Sequence, residues 1–252
     1  MRKIWCFVAV AMGAAMLFAV QVQAQHLQKA DEAYAKGDMQ NLEKAIELYE
    51  QALQESPESF EANWKLARAY RDYALNAQRK DLEGWKNICK EYGQLGMEYA
   101  EKARELNPDA VQGHYFYGLS VSVYSDSVGI VSAISQGLRG KTKDALEKTY
   151  EIDKHYRDST PIMALGRYWQ VVPWPYRDRD KALEYYREAQ EAMPEDSPYR
   201  TELQVYLGSL LLQMGQNQEE AKQMLREATQ ADTGYFDQYF KQKAQEILQE
   251  HE

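Results

Sequence analysis

The chain has 252 residues, with 30 Lys and Arg against 39 Asp and Glu, for a net charge of −9. That acidic balance is spread along the chain and argues against nucleic acid as a partner. Its two cysteines, Cys6 and Cys89, leave no C-x-x-C zinc site and no disulfide framework.

The first residues, Met1-Arg2-Lys3, are basic, and Ile4 to Val20 is an apolar run of 17 residues without a charge. Val22-Gln23-Ala24 then places small or neutral residues before Gln25. This order predicts a secretory signal peptide over 1–24, cleaved after Ala24, and a mature domain over 25–252 in the periplasm. The alternative is an uncleaved helix anchoring the domain to the inner membrane, since 17 residues sit at the lower edge of spanning length. A lipid anchor fits less well, because Cys6 lies inside the apolar run rather than at the cleavage point. Losing Arg2 and Lys3 leaves 28 basic against 39 acidic residues, a charge of −11. It also leaves Cys89 without a disulfide partner, either buried or a liability for intermolecular pairing.

Beyond the leader, one pattern recurs. Ala45, Tyr49, Ala52 and Pro57 are spaced by 4, 3 and 5, and Ala182, Tyr186, Ala189 and Pro194 repeat those spacings. Gly96, Ala100, Ala103 and Pro108 follow them, as do Ala221, Leu225, Ala228 and Thr233, with a weaker copy at Thr142, Leu146, Thr149 and Lys154. Positions three and four apart share a helix face. Small residues there admit a partner helix closely, the larger residue between them fills the groove, and proline ends the helix. The preceding helix of each pair carries an apolar-small-x-x-apolar pattern. It appears as Leu66-Ala67 with Tyr70, Tyr117-Gly118 with Val121, Leu165-Gly166 with Trp169, and Leu207-Gly208 with Leu211. Gly37 and Gly215 fall in turns that suit a left-handed residue. No stretch alternates like a half-buried strand.

These residues resemble the tetratricopeptide (TPR) family over most of the mature chain. The expected fold is therefore all-α, a TPR-like α-solenoid of about five lengthened helical hairpins plus a C-terminal capping helix. The repeat ends lie 51, 46, 40 and 39 residues apart, against about 34 in a standard repeat. The extra residues are expected between the helices of the hairpins, at Tyr73 to Leu95, Tyr124 to Gly140 and Val172 to Asp180. His114-Tyr115-Phe116-Tyr117-Gly118, the Ser/Val/Gly-rich stretch to Gly140 and Ala164-Leu165-Gly166-Arg167-Tyr168-Trp169 are similar to a narrower group. They look like the divergent TPR domain of the regulator-of-microtubule-dynamics proteins and related bacterial exported proteins. The TPR-type accessory proteins of TRAP transporters are a more distant likeness. A secretory start makes tubulin inaccessible, so the resemblance implies a shape rather than the eukaryotic role.

Tyr235 to Gln249 reads as a last helix whose stripe of Phe236, Tyr239, Phe240, Ala244, Ile247 and Leu248 caps the stack. A helix that pairs two copies in a homo-oligomer is the alternative.

The resemblance implies that the first helix of each hairpin lines a concave groove. That places Trp64, Arg68, Arg71, Tyr115, Leu119, Arg167, Gln170 and Tyr206 there. Arginine is a bidentate donor, so three arginines among aromatics suggest that the groove binds an acidic group, such as a peptide carboxylate or a small organic acid. The opposing reading pairs each arginine with a carboxylate on a neighbouring helix. The histidines are isolated, and no P-loop, Rossmann glycine set or G-x-S-x-G elbow occurs. No cofactor, metal or catalytic residue is expected. The leading function is an exported scaffold or adaptor for a protein or peptide partner. The alternative is a small-ligand accessory protein working with transporter components, and an enzyme would require acidic residues converging in a closed pocket with displaced pKa values.

Two segments have competing readings. Val128, Val131, Ser132, Ser135 and Leu138 suit a tightly packed inserted helix, while Gly129, Gly137 and Gly140 would let the same segment act as a lid. In Val172-Pro173-Trp174-Pro175-Tyr176-Arg177, the prolines fix an aromatic loop, and Trp174 is expected to cap the core rather than make an exposed contact.

Overall fold

The computed structural model describes residues 21–232 and 237–251, all of them helix, turn or loop. Twelve helices follow in order: α1 (21–34), α2 (Met39–Glu55), α3 (Phe60–Arg79), α4 (Trp85–Leu106), α5 (Val111–Val128) and α6 (Ile130–Ser135). After these come α7 (Leu138–Asp153), α8 (Tyr156–Val171), α9 (Arg179–Ala192), α10 (Arg200–Met214), α11 (Gln218–Gln230) and α12 (Asp237–Glu250). The apolar run at 4–20 lies outside the described residues, as do Thr233, Tyr235 and Phe236. No helix among the described residues is long and apolar enough to cross a membrane.

The repeated small-large-small positions form the buried faces. Ala45, Tyr49 and Ala52 on α2 are fully buried, as are Ala182, Tyr186 and Ala189 on α9 and Ala221, Leu225 and Ala228 on α11. Thr142, Leu146 and Thr149 of the weaker copy are buried on α7. Glycine is required where the opposing helix comes closest. A Cβ on Gly166 would stand 2.6 Å from the ring of Tyr186, and one on Gly96 would stand 2.6 Å from Ser120 Oγ. Gly37 and Gly215 take φ of 74° and 66° in their turns, the left-handed region that glycine enters without steric cost.

The chain divides into two compact units, 1–129 and 130–252. In the first, α2 packs on α3, α3 on α4, and α4 on α5. The extra length expected between α3 and α4 is mostly helix: both elements run on by further turns and meet across a short turn at 80–84. Ala74, Cys89 and Val123, with Trp85 and Tyr92 against them, give that extension a small core of its own. In the second unit, α8 pairs with α9 and α10 with α11, while α12 covers both α10 and α11. Phe240, Ala244 and Ile247 are the buried positions of the capping helix.

One device recurs where a hairpin begins, six residues after the proline that ended the previous helix. Asn63 Nδ2 donates to the carbonyl of Pro57 (3.1 Å), and His114 Nε2 bonds the carbonyl of Pro108 (2.8 Å). At the corresponding position after Pro194, Arg200 Nη1 donates to the carbonyl of Met193 (2.8 Å). These contacts satisfy carbonyls that the helix ends leave open and tie each new helix to the end of the last.

Two expectations are corrected. The segment after Tyr124 is not a packed inserted helix: α6 buries none of its residues, Val131 is 84% exposed, and only Leu138, which begins α7, enters the core. Six residues form too short a helix to turn an apolar face inward while flanked by Gly129 and Gly137, both at positive φ. Trp174 does not cap the core either, being 86% exposed. The flanking prolines hold the loop away from the helices, and Val172 fills the core position instead.

Replacing Gly166 by Ala should destabilise the protein by about 1–3 kcal/mol in urea unfolding, because the new methyl overpacks against Tyr186. Gly140→Ala is the matched control. Its Cβ meets nothing within 4 Å inside α7, so it should be neutral or stabilise by up to about 1 kcal/mol. Burial, aided by the negative charge of Asp126, pushes the Cys89 thiol up to about 12 from an ordinary 9.0. Below pH 9.0 the thiol is neutral in both states. Above it the unfolded chain ionises first, so stability falls with rising pH by at most about 1.4 kcal/mol per unit. Cys89→Ala should flatten that alkaline slope in pH-dependent denaturation curves.

Candidate binding site

Each unit carries a polar cluster on its first-of-hairpin helices, organised around a buried tyrosine of the repeat signature. In the first unit, the Tyr49 hydroxyl donates to Asp31 Oδ1 (2.6 Å) and accepts from Arg68 Nη2 (3.1 Å). Asp31 also holds Lys65 Nζ at 2.6 Å and stands 3.7 Å from Arg68, while Lys65 takes Glu61 as a second partner. The Arg68 guanidinium lies 3.7 Å from the centroid of the Tyr34 ring and 5.1 Å from that of Trp64. Arg71 bonds Asp72 at 2.7 Å, and the same carboxylate accepts the hydroxyl of Tyr34. Trp64 stacks on Phe116 at 5.9 Å, and Tyr115 meets Phe116 edge-on at 5.3 Å. Tyr115 is buried and Leu119 half-buried. Arg68 and Arg71 therefore both lie beside Tyr34 and its partner Asp72, and carboxylates already neutralise both.

In the second unit the corresponding tyrosine is Tyr186, and its hydroxyl donates to Gln170 Oε1 (2.8 Å). Arg167 Nη1 donates to that same oxygen at 3.2 Å, and its guanidinium lies 4.6 Å from the centroid of the Tyr206 ring. The Tyr206 hydroxyl is taken by Glu202 (2.8 Å), and its ring meets Phe240 of α12 at 5.6 Å. Arg167 is exposed as a whole residue, but its guanidinium lies among Tyr206, Tyr186, Tyr239 and Glu202. Desolvation lowers its pKa, and the negative ends of these four groups outweigh that and raise it. None of the described carboxylates forms an ion pair with it. Gln170 is 5% exposed, and its Nε2 is buried without a hydrogen-bond partner. The amide orientation follows from its neighbours: turning it over would set the NH2 group against the donors of Arg167. Where the first unit places the Asp31 carboxylate beside its tyrosine and arginine, the second places a neutral amide.

Of the residues expected in the groove, Trp64, Arg68 and Arg71 lie in the first cluster and Arg167, Gln170 and Tyr206 in the second. Sequence reasoning missed Asp31, Tyr34, Lys65 and Asp72, which complete the first cluster, and Glu202 in the second. Asp31 and Tyr34 sit four and one residues before the Ala35-Lys36-Gly37 turn, a register that would have marked them once α1 was counted as a repeat helix. Elsewhere, a cleft of about 710 Å³ between α2 and α4 is lined by Glu50, Glu98, Glu101 and Glu105 with Tyr99 and Lys102. Asp38, Glu220 and Glu246 are carboxylates with lowered pKa. The causes are hydrogen bonds from Asn41 at a helix cap, from Arg187, and from Lys243.

Residues 26–172 match the family described as Regulator of microtubule dynamics protein 1-3, more than half of the chain. The chain belongs to this family. Its fold is similar to that of a thermophilic TPR protein from Thermus thermophilus. The two share 19% identity over 90% of this chain and 99% of that one, with a TM-score of 0.64. MamA is similar at 17% identity over 85% of this chain and 98% of its own, with a TM-score of 0.49. None of the curated proteins matches the chain. The regulator-of-microtubule-dynamics match takes in the whole Asp31–Tyr49–Arg68 cluster. Of the second cluster it includes Arg167 and Gln170, but Tyr186, Glu202 and Tyr206 lie past its end.

Asp31→Ala would leave Lys65 with Glu61 alone and Arg68 with only the Tyr49 hydroxyl. The side chains of Lys65 and Arg68 are 11% exposed, so chemical denaturation should show a loss of about 1.5–3 kcal/mol, the range for hydrogen bonds to charged groups.

Proposed function

We propose that this protein is an exported, non-catalytic scaffold that holds a protein or peptide partner, and that the partner presents an acidic group to Arg167. The observation that carries this reading is the substitution of an amide for a carboxylate between the two clusters. Arg68 and Arg71 have acidic partners at 3.7 and 2.7 Å, whereas Arg167 has the Gln170 oxygen and an aromatic ring. A guanidinium stacked on a ring and without a carboxylate in an ion pair is pre-oriented for one, which it takes with two parallel N–H donors.

A non-catalytic role is supported by the displaced carboxylates, which belong to a cap and to ion pairs, although fold alone does not decide function. Export is supported by the leader-like order of residues 1–24.

Crosslinking in the native compartment followed by mass spectrometry would identify the partner. Arg167→Glu should reduce its recovery at least tenfold, and Arg167→Lys should restore part of it, because lysine supplies the charge without the planar fork. Undiminished recovery with Arg167→Glu would refute the assignment.

A further inference from the structure

The large apolar side chains that the second unit leaves in solvent gather mostly at one end. Ile130, Val131 and Ile134 project from α6, and Val171, Trp174 and Tyr176 flank the loop between α8 and α9. The two groups are joined through the start of α7. α6 leads directly into it, and the Arg139 guanidinium in its first turn lies 3.9 Å from the centroid of the Tyr176 ring. Isolated exposed hydrophobics are ordinary on a protein surface, but a contiguous set that includes an almost fully exposed tryptophan marks an interaction surface.

The charges around this set run against the acidic chain. Residues 130–143 contain Arg139, Lys141 and Lys143 and no acidic residue. Asp144 follows, and Lys143 is paired with Glu147 at 2.5 Å, which leaves Arg139 and Lys141 as the basic groups of this side. Across the loop stand Arg177, Arg179 and Lys181. Of the two carboxylates between them, Asp178 is engaged as the cap of α9, accepting from the Lys181 backbone N–H at 3.0 Å, and Asp180 is exposed in the first helical turn. Aliphatic side chains at the tip, Trp and Tyr beside them and a basic rim are the composition of a surface that enters the interfacial layer of a bilayer. There the amphipathic rings sit at headgroup depth and the cations meet lipid phosphates. A second copy of the chain is a poorer occupant, because a two-fold contact sets the same patch against itself and so brings basic rim to basic rim.

We infer that this end of the second unit docks on an anionic phospholipid surface, with Ile130, Val131, Ile134 and Trp174 entering the interface and Arg139 and its basic neighbours contacting phosphate. The inference does not rest on the partner assigned to Arg167, although Val171 lies one turn beyond Arg167 on α8, and its test is read at Trp174 and α6.

The full chain, labelled with 5-fluorotryptophan, tests it. The Trp174 resonance is assigned through Trp174→Phe and followed by fluorine NMR as vesicles are added. These are phosphatidylcholine alone or with 30% phosphatidylglycerol (about the anionic content that makes a surface attract basic segments), each carrying a nitroxide-labelled lipid. The expected result is attenuation of Trp174 well beyond that of Trp85 in the first unit, with anionic vesicles only. The Ile130→Ser, Val131→Ser, Ile134→Ser triple variant and Arg139→Glu should each need at least tenfold more lipid. Equal attenuation of Trp85 and Trp174 would mean capture by the apolar N-terminal run alone and would overturn the inference. It would likewise fall if Trp174 were unaffected, or if the triple variant abolished self-association in sedimentation while lipid left Trp174 unchanged.

Discussion

A tyrosine buried at the centre of a helical hairpin must place its hydroxyl against a hydrogen-bonding partner, because an unpaired buried hydroxyl costs about 1–3 kcal/mol. In this protein that requirement organises everything around it. The small residues on either side of Tyr49 and Tyr186 let the opposing helix come close enough to bury the ring completely. The hydroxyl then emerges on the far side, among the polar residues of the first-of-hairpin helices. Packing and polar surface are thus two ends of the same side chain. The identity of the residue that accepts the hydroxyl proton, Asp31 in one unit and Gln170 in the other, sets whether the adjacent arginine is neutralised or left as a cation.

The first-unit cluster shows how far such a site can be closed by its own charges. Asp31 serves Tyr49, Lys65 and Arg68 together, and Asp72 serves Arg71 and Tyr34. Partly exposed ion pairs of this kind add modestly to stability individually, but here they share acceptors and lie over aromatic rings, so the loss of one acid disturbs several neighbours. The second-unit cluster is less closed. Its amide balances two donors on one oxygen while the amide nitrogen stays unpaired.

Much of this was legible in the sequence. The recurring Ala-Tyr-Ala, Gly-Ala-Ala and Ala-Leu-Ala spacings located the buried faces of α2, α4, α9 and α11 because a helix face is a direct function of spacing. Helix ends were marked by Pro57, Pro108 and Pro194 for an equally local reason. The lengthened part of the first unit was misplaced: Tyr73 to Leu95 has the polar composition of a connection, yet Ala74, Cys89 and Val123 supply enough core to continue two helices there. Trp174 was misjudged because burial of a tryptophan depends on where its loop lies, and two prolines hold this loop outward. For the arginines, spacing indicated that they share a face but not which carboxylates oppose them, since Asp31 reaches Arg68 from another helix.

The side-chain clamps that Asn63, His114 and Arg200 make at the proline-marked ends have a bearing on how such a chain can diverge. Within each unit they tie the start of one hairpin to the end of the one before it by short-range bonds. Length can then be gained or lost away from these bonds without shifting the register of the hairpins they join. One hairpin has done so by growing its helices, another by acquiring α6, and a third by keeping a bare loop. Variation in repeat length and constancy of repeat packing are, on this view, both products of the clamp made at each proline-marked helix end.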